Sequence, residues 1–160
     1  MHNNPYDYRR KLPHIQPTGK TFFITFCTHQ RWILPESIRG VALDACVYGE
    51  GKLFDLHGVV VMPDHVHLIL TPLYRDDGPV SIPRIMQGIK STSAHKINKI
   101  LLRTGRVWQH ESFDRILRSE ESVEAKLKYI SLNPVRAGLV LRPQDYRWLW
   151  MADTTLPIAG

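Results

Sequence analysis

The run from His57 to Pro72 reads His-Gly-Val-Val-Val-Met-Pro-Asp-His-Val-His-Leu-Ile-Leu-Thr-Pro, and it decides the fold around which the other segments must pack. It predicts two buried strands, Gly58–Met62 and His65–Thr71, because both runs are apolar. The Pro63–Asp64 pair between them predicts a tight turn, since proline fixes its own φ and aspartate can hydrogen-bond the turn backbone. This stretch therefore indicates a β-hairpin.

The second strand of this hairpin carries two histidines at a spacing of two residues. Side chains alternate along a strand, so His65 and His67 share one face, about 7 Å apart at Cα, while Val66 and Leu68 share the other. Two imidazoles fixed on a rigid strand can supply half of a metal site, because histidine is a common metal ligand. The spacing alone is equally compatible with two ordinary histidines, so another part of the chain must complete such a site.

Length and composition place the chain among ordinary globular proteins. Its 160 residues, of which 43% are hydrophobic, predict a single domain over residues 1–160. We expect a basic N-terminal arm over about residues 1–18 and a polar tail over about 150–160. Cys27 and Cys46 lack metal or redox spacing and predict small core residues in a reducing compartment. No run approaches 18 apolar residues, so we expect a cytoplasmic, nucleoid-associated protein without a membrane segment.

The charge is basic and unevenly distributed. The formal net charge is +6 and the pI is near 9.5. Tyr8–Pro35 and Gly78–His110 contain lysines and arginines but no acidic residue. Two acid-free basic blocks favour a polyanionic partner, most often a nucleic acid, whereas the alternative is a basic protein without such a partner.

The remaining pattern predicts the order β-α-β-β-α-β-α. Its elements are a strand at Lys20–His29, a helix at Pro35–Tyr48, a helix capped by Ser81 in a segment that Gly105 ends, strand pieces at Val107–Trp108 and Arg115–Arg118, and a helix capped by Ser119 that stops before Pro134. This order predicts an α+β fold of the ferredoxin-like or RRM-like kind, a four-stranded antiparallel sheet with helices packed on one face. Among the tryptophans, Trp108, Trp148 and Trp150 could stack on bases, although core positions are favoured.

The third helix places a tyrosine and an asparagine together. Val123, Leu127 and Ile130 form its apolar stripe, whereas Tyr129 and Asn133 lie at the flank as i,i+4 neighbours. A tyrosine at such a flank could also serve only to rim the core.

At this point the motifs resemble a known family. Val61-Met-Pro-Asp-His-Val-His-Leu-Ile-Leu70 is similar to the His-hydrophobic-His motif of single-tyrosine HUH transposases, and Lys128-Tyr-Ile-Ser-Leu-Asn-Pro-Val-Arg-Ala-Gly-Leu-Val140 resembles their tyrosine helix. Four further segments resemble motifs of the branch associated with repetitive extragenic palindromes (REP). They are Arg10-Lys-Leu-Pro-His14, Trp108-Gln109, Phe113-Asp-Arg115 and Asp145-Tyr-Arg-Trp148. The matches span about Arg9 to Trp148. Leu149 and Trp150 depart from the serines usual after the last motif.

The resemblance implies a metal-dependent endonuclease and strand transferase that acts on single-stranded or hairpin DNA, including REP elements. It implies Tyr129 as the nucleophile of a 5′-phosphotyrosine intermediate, and His65, His67 and Asn133 as ligands of Mg²⁺ or Mn²⁺. Candidate DNA contacts are Arg9, Arg10, Lys11, Lys90, Lys96 and Arg115. A monomer is favoured over a dimer. Two alternatives stay open, a catalytically silent DNA-binding regulator and a metallohydrolase in which activated water attacks and Tyr129 is incidental.

Overall fold

A computed structural model describes residues 19–152, so the predicted basic arm lies outside the described residues. The main sheet is antiparallel and has five strands, which are β1 Thr21–Cys27, β2 Phe54–Val61, β3 His65–Pro72, β6 Phe113–Leu117 and β7 Leu149–Met151. Their order in the sheet is β6-β1-β3-β2-β7. A separate small hairpin consists of β4 Tyr74–Arg75 and β5 Gly78–Pro79. The predicted α+β class is confirmed, with one more strand than expected.

Three α-helices fall within the described residues, and their bounds are α1 Glu36–Tyr48, α2 Ile82–Leu101 and α3 Glu120–Arg136. Both predicted caps form, because the side chains of Ser81 and Ser119 accept hydrogen bonds from backbone N–H groups in the first helical turn. None of these helices is long and apolar enough to cross a membrane.

The predicted hairpin is the centre of the sheet. Strands β2 and β3 pair from Phe54 opposite Pro72 to Val61 opposite Val66, and the Met62 N–H donates to the His65 carbonyl at 2.8 Å to close the turn. A bulge between Leu56 and Gly58 interrupts the register. The hairpin is flanked by β1 on one side and by β7 on the other, so both of its strands are internal.

The helices cover both faces of the sheet, so the predicted packing on one face was wrong. One core lies between the sheet and α1 and α2, and it includes Val66 and Leu68 of β3. The second core lies under α3, where Leu127 and Ile130 pack against Val60 of β2. Because β3 is apolar on both faces, each face needs a cover. The histidines face α3.

Four other predictions require correction. Helix α3 continues through Pro134, because a proline in its last turn removes only one backbone hydrogen bond and its ring is buried. Val107–Trp108 is not a strand, since Trp108 makes only an isolated bridge to Thr28. Helix α2 ends at Leu101, before Gly105. The predicted tail at 150–160 begins too early, because β7 extends to Met151.

Candidate active site

The two histidines of β3 lie side by side on the sheet face that α3 covers. Their ring centroids are 4.7 Å apart with planes at 73°. His67 is buried with 7% of its surface exposed, whereas the His65 side chain retains 20%. Half-buried Cys27 of β1 pairs with His65 in register, so Cys27 lies beside this site and not in the core as predicted. The strand therefore presents one sheltered and one more accessible imidazole.

Each histidine has a partner at its Nδ1 atom. The Thr25 hydroxyl lies 2.7 Å from Nδ1 of His67, and a carboxylate oxygen of Asp64 lies 2.7 Å from Nδ1 of His65. The other oxygen of Asp64 accepts a 2.9 Å hydrogen bond from Arg31. Asp64 thus orients a histidine as well as making the predicted turn. These contacts fix both rings and leave both Nε2 atoms as the candidate ligands.

The electrostatics keep His67 neutral. Burial lowers its pKa to about 4, helped by the positive charges of His65, Lys126 and Arg136. Burial would raise the pKa of Asp64, but the hydrogen bonds and charges of His65 and Arg31 hold it below its usual value. A neutral His67 suits metal binding, because a ligating nitrogen must carry a free lone pair, while the carboxylate of Asp64 orients the neighbouring His65.

Tyr129 of α3 lies over this pair. Its ring centroid is 5.9 Å from that of His67, and 39% of the residue is exposed. Phe23 of β1 stacks on His67 at 5.3 Å and meets the Tyr129 ring edge-on at 6.2 Å. The tyrosine therefore rests on an aromatic support and keeps an open side toward solvent.

Asn133 lies one helical turn beyond Tyr129 and is half-buried. Residues four positions apart on a helix are neighbours on its surface, so the amide is on the side of α3 that carries the tyrosine. Within residues 19–152, no cluster of three or more histidine, cysteine, aspartate or glutamate side chains could hold a metal. A metal on His65 and His67 would therefore need a different third ligand. An amide oxygen is suitable, and the two oriented Nε2 atoms fit a divalent ion.

Four residues that shape this site were not predicted from the sequence. Thr25 and Phe23 support His67, while Lys126 and Arg136 place their positive charges over the Tyr129 ring at 5.0 and 4.5 Å. The two cations could have been predicted, because Lys126 is three residues before Tyr129 and Arg136 seven after it, and such positions lie on the same side of a helix. The signal for Thr25 was absent, because its pairing with His67 depends on strand register.

The predicted DNA contacts are separated by the fold. Arg9, Arg10 and Lys11 lie outside the described residues. Lys90 is half-buried, and its ammonium donates hydrogen bonds to three successive backbone carbonyls, those of residues 109–111. Lys96 is exposed on α2, which packs on the opposite side of the sheet from the histidines. Arg115 pairs in register with Phe23 and therefore faces the site.

Two aromatic residues have structural positions. Trp108 is buried and donates a 2.9 Å hydrogen bond from its indole N–H to Ser93, as the core alternative predicted. Tyr146 is also buried, and its hydroxyl donates to the Val61 carbonyl at 2.5 Å. Burial raises the pKa of Tyr146 to about 12. Tyr129 is thus the more accessible of the two tyrosines in the predicted motifs.

The fold and the site together define an α+β domain in which a helix-borne tyrosine faces a strand-borne histidine pair. The family model described as "Transposase IS200 like" matches residues 34–133, which include both histidines, Tyr129 and Asn133. The chain belongs to this IS200-like transposase family, and the family predicted from the sequence is confirmed.

Individual relatives are more distant. A curated Haemophilus influenzae protein, named as a REP-associated tyrosine transposase, is 25% identical over 99 residues, 58% of this chain and 56% of the relative. The chain thus spans about half the length of that relative. The solved structure of a REP-associated tyrosine transposase bound to a REP hairpin has a TM-score of 0.65 and 22% identity, covering 87% of this chain and 81% of the other. A solved structure of a transposase-like protein from Deinococcus radiodurans has a TM-score of 0.48 and 21% identity, covering 74% of this chain and 92% of the other.

Proposed function

We propose that this protein is a metal-dependent endonuclease and strand transferase that acts on single-stranded or hairpin DNA through Tyr129. The observation that carries the proposal is the placement of an accessible tyrosine 5.9 Å, ring to ring, from a histidine pair whose Nδ1 atoms are both oriented. Membership of the IS200-like transposase family supports the same reaction class. The matched fold of a hairpin-bound REP-associated transposase makes a REP hairpin the preferred candidate substrate.

The proposed reaction is a balanced transesterification. The Tyr129 hydroxyl loses its proton and its oxygen attacks the scissile phosphorus, so that a phosphotyrosine bond forms as the bond from phosphorus to O3′ breaks. The departing oxygen takes up a proton and becomes a 3′-hydroxyl, while the 5′ end stays on the tyrosine. Attack by a 3′-hydroxyl on the same phosphorus reverses these changes and joins strands. The phosphodiester bond is thereby exchanged, without net hydrolysis.

His65, His67 and Asn133 would hold the divalent ion. When bound there, Mg²⁺ or Mn²⁺ would act as a Lewis acid toward a phosphate oxygen. Two nitrogen ligands favour Mn²⁺ over Mg²⁺, whose shell is usually all oxygen. Thr25 and Asp64 would keep the imidazoles aimed, and the buried position of His67 would shelter that ligand from protonation and from water.

A covalent adduct is the product that tests this proposal. The substrate is hairpin DNA with a single-stranded flank, drawn from inverted repeats near the coding sequence and labelled at its 3′ end. We expect a protease-sensitive labelled adduct on a denaturing gel with Mn²⁺, and its loss for Tyr129→Phe. Labelled fragments cut without an adduct would instead establish the metallohydrolase. Salt-dependent binding of the hairpin with no cutting across a Mn²⁺ titration would establish the silent regulator.

A further inference from the structure

We propose that Lys126 and Arg136 form a phosphate-binding pair at Tyr129, which receives the scissile phosphodiester beside the nucleophile. This inference rests on the proposed function for its substrate, but the anion site itself follows from the arrangement of the two cations. Lys126 lies outside the family motifs quoted above, and Arg136 lies within the tyrosine-helix motif but has no assigned role.

Both cations lie close to the tyrosine ring. The ammonium nitrogen of Lys126 lies 5.0 Å from the centroid of Tyr129 and 4.7 Å from that of Phe23. The guanidinium carbon of Arg136 lies 4.5 Å from the Tyr129 centroid, and an Arg136 nitrogen donates a 2.6 Å hydrogen bond to the Tyr129 carbonyl. Phe23 also stacks on His67 at 5.3 Å, so its ring contacts both the histidine and the Lys126 ammonium.

Helix geometry explains why these side chains converge. At about 100° per residue, Lys126, Tyr129, Asn133 and Arg136 fall within an arc of about 80° on α3. The stripe therefore carries the proposed nucleophile, the proposed amide ligand and two positive charges. The apolar stripe of the same helix, Leu127 and Ile130, is buried against the sheet and holds this arrangement in place.

The chemistry of this stripe fits a phosphodiester. Guanidinium and ammonium groups form charge-assisted hydrogen bonds with phosphate oxygens, and cations held over aromatic rings are partly ordered before the ligand arrives. Tyr129 is 39% exposed, so a phosphate can approach its hydroxyl from solvent. The pair would bind non-bridging oxygens and stabilise the charge that develops on phosphorus as the tyrosine attacks.

The first test uses inorganic phosphate and needs no DNA. Phosphate at about 50 mM, against NaCl of equal ionic strength, should raise the thermal midpoint of the full chain through ligand linkage. The rise should be largely lost in the double variant Lys126→Ala/Arg136→Ala and kept in Lys128→Ala, which removes an exposed charge two residues away on the same helix. An equal phosphate-dependent rise in the wild type and the double variant would overturn the proposal.

The second test separates phosphate binding from simple support of the tyrosine ring. Lys126→Ala and Arg136→Ala should each lower the single-turnover rate of adduct formation by about tenfold to a hundredfold, with hairpin Kd changed by about threefold or less. Lys126→Arg should recover most of the rate, since it keeps the charge. Full activity in both alanine variants would refute the phosphate role while leaving the tyrosine mechanism intact. Absence of an adduct in the wild type would instead refute the proposed function, and the phosphate measurement would still decide on the anion site.

Discussion

The Thr25 hydroxyl should contribute to stability, because it pairs with a ring nitrogen of the buried His67. Thr25→Val keeps the shape of the side chain but removes the hydroxyl that lies 2.7 Å from Nδ1 of His67. His67 is 7% exposed, so the ring nitrogen would lose its partner in a place that water reaches poorly. Leaving a buried polar group unsatisfied costs about 1–3 kcal/mol. We expect a loss of unfolding free energy in this range.

The same substitution should weaken the metal site. Removing the group that orients a ligating histidine typically lowers metal affinity about 10–100-fold. Calorimetric titration with Mn²⁺ should show this loss, and the Mn²⁺ concentration for half-maximal adduct formation should rise in parallel, with most of the rate recovered at saturation. Thr21→Val is the matched control. Thr21 lies on the same strand as Thr25, and its hydroxyl contacts that of Thr71 on β3 at 2.7 Å. Equal Mn²⁺ affinity for Thr25→Val and wild type would refute the orienting role.

Four further substitutions separate chemistry from structure. His65→Ala or His67→Ala should abolish cleavage and leave hairpin affinity nearly unchanged, as judged by gel shift; Mn²⁺-dependent cutting by the double variant would contradict the ligand assignment. Tyr129→Phe should have an unfolding free energy within about 0.5 kcal/mol of wild type, because it removes only the hydroxyl of a partly exposed residue. The variant should form no adduct, since that hydroxyl is the proposed nucleophile. Tyr146→Phe should do the reverse, losing about 1 kcal/mol with its hydrogen bond to Val61 while still forming the adduct in the gel assay.

Local patterns were sufficient to predict the centre of the fold. The hairpin was predictable because strand alternation and a Pro-Asp turn are properties of neighbouring residues. The helix caps at Ser81 and Ser119 were predictable for the same reason. The fifth strand was not, because β7 has only three residues and gains its hydrogen bonds from β2, which is nearly a hundred residues away in the chain.

The site, like the fold, has a part that local patterns predict and a part that they do not. His65 and His67 share a face by alternation, and Tyr129 and Asn133 share one by helical period, so each pair was visible in the sequence. The contact between Tyr129 and His67 depends on α3 crossing the sheet face that carries the histidines, which no local pattern specifies. Lys90 was predicted from its charge as a DNA contact, and that stays a prediction, while its ammonium binds the backbone carbonyls of residues 109–111. A charge pattern identifies the cations of a chain, whereas the fold determines which of them form hydrogen bonds within the protein.

Gly58 sets the distance between α3 and the sheet, because its missing side chain leaves room for the residues of α3 that pack there. A Cβ at Gly58 would lie 2.8 Å from Leu127 Cδ2 and 3.0 Å from both Ile130 Cδ1 and Met151 Sδ. Leu127 and Ile130 are fully buried, so Gly58→Ala must displace them, at a cost of about 1–3 kcal/mol for overpacking. Because Tyr129 lies between these two residues on α3, the strain should also move the nucleophile relative to His67.

We therefore expect Gly58→Ala to slow adduct formation by more than its stability loss explains, when urea unfolding and single-turnover rates are measured at a temperature where the variant stays folded. Gly88→Ala is the matched control, since a Cβ at Gly88 in α2 meets nothing within 4 Å. That change should stabilise the protein by about 0.5–1 kcal/mol through helix propensity and leave the rate unaltered. If Gly58→Ala reacts as fast as Gly88→Ala, the packing of α3 on the sheet does not determine the position of the tyrosine.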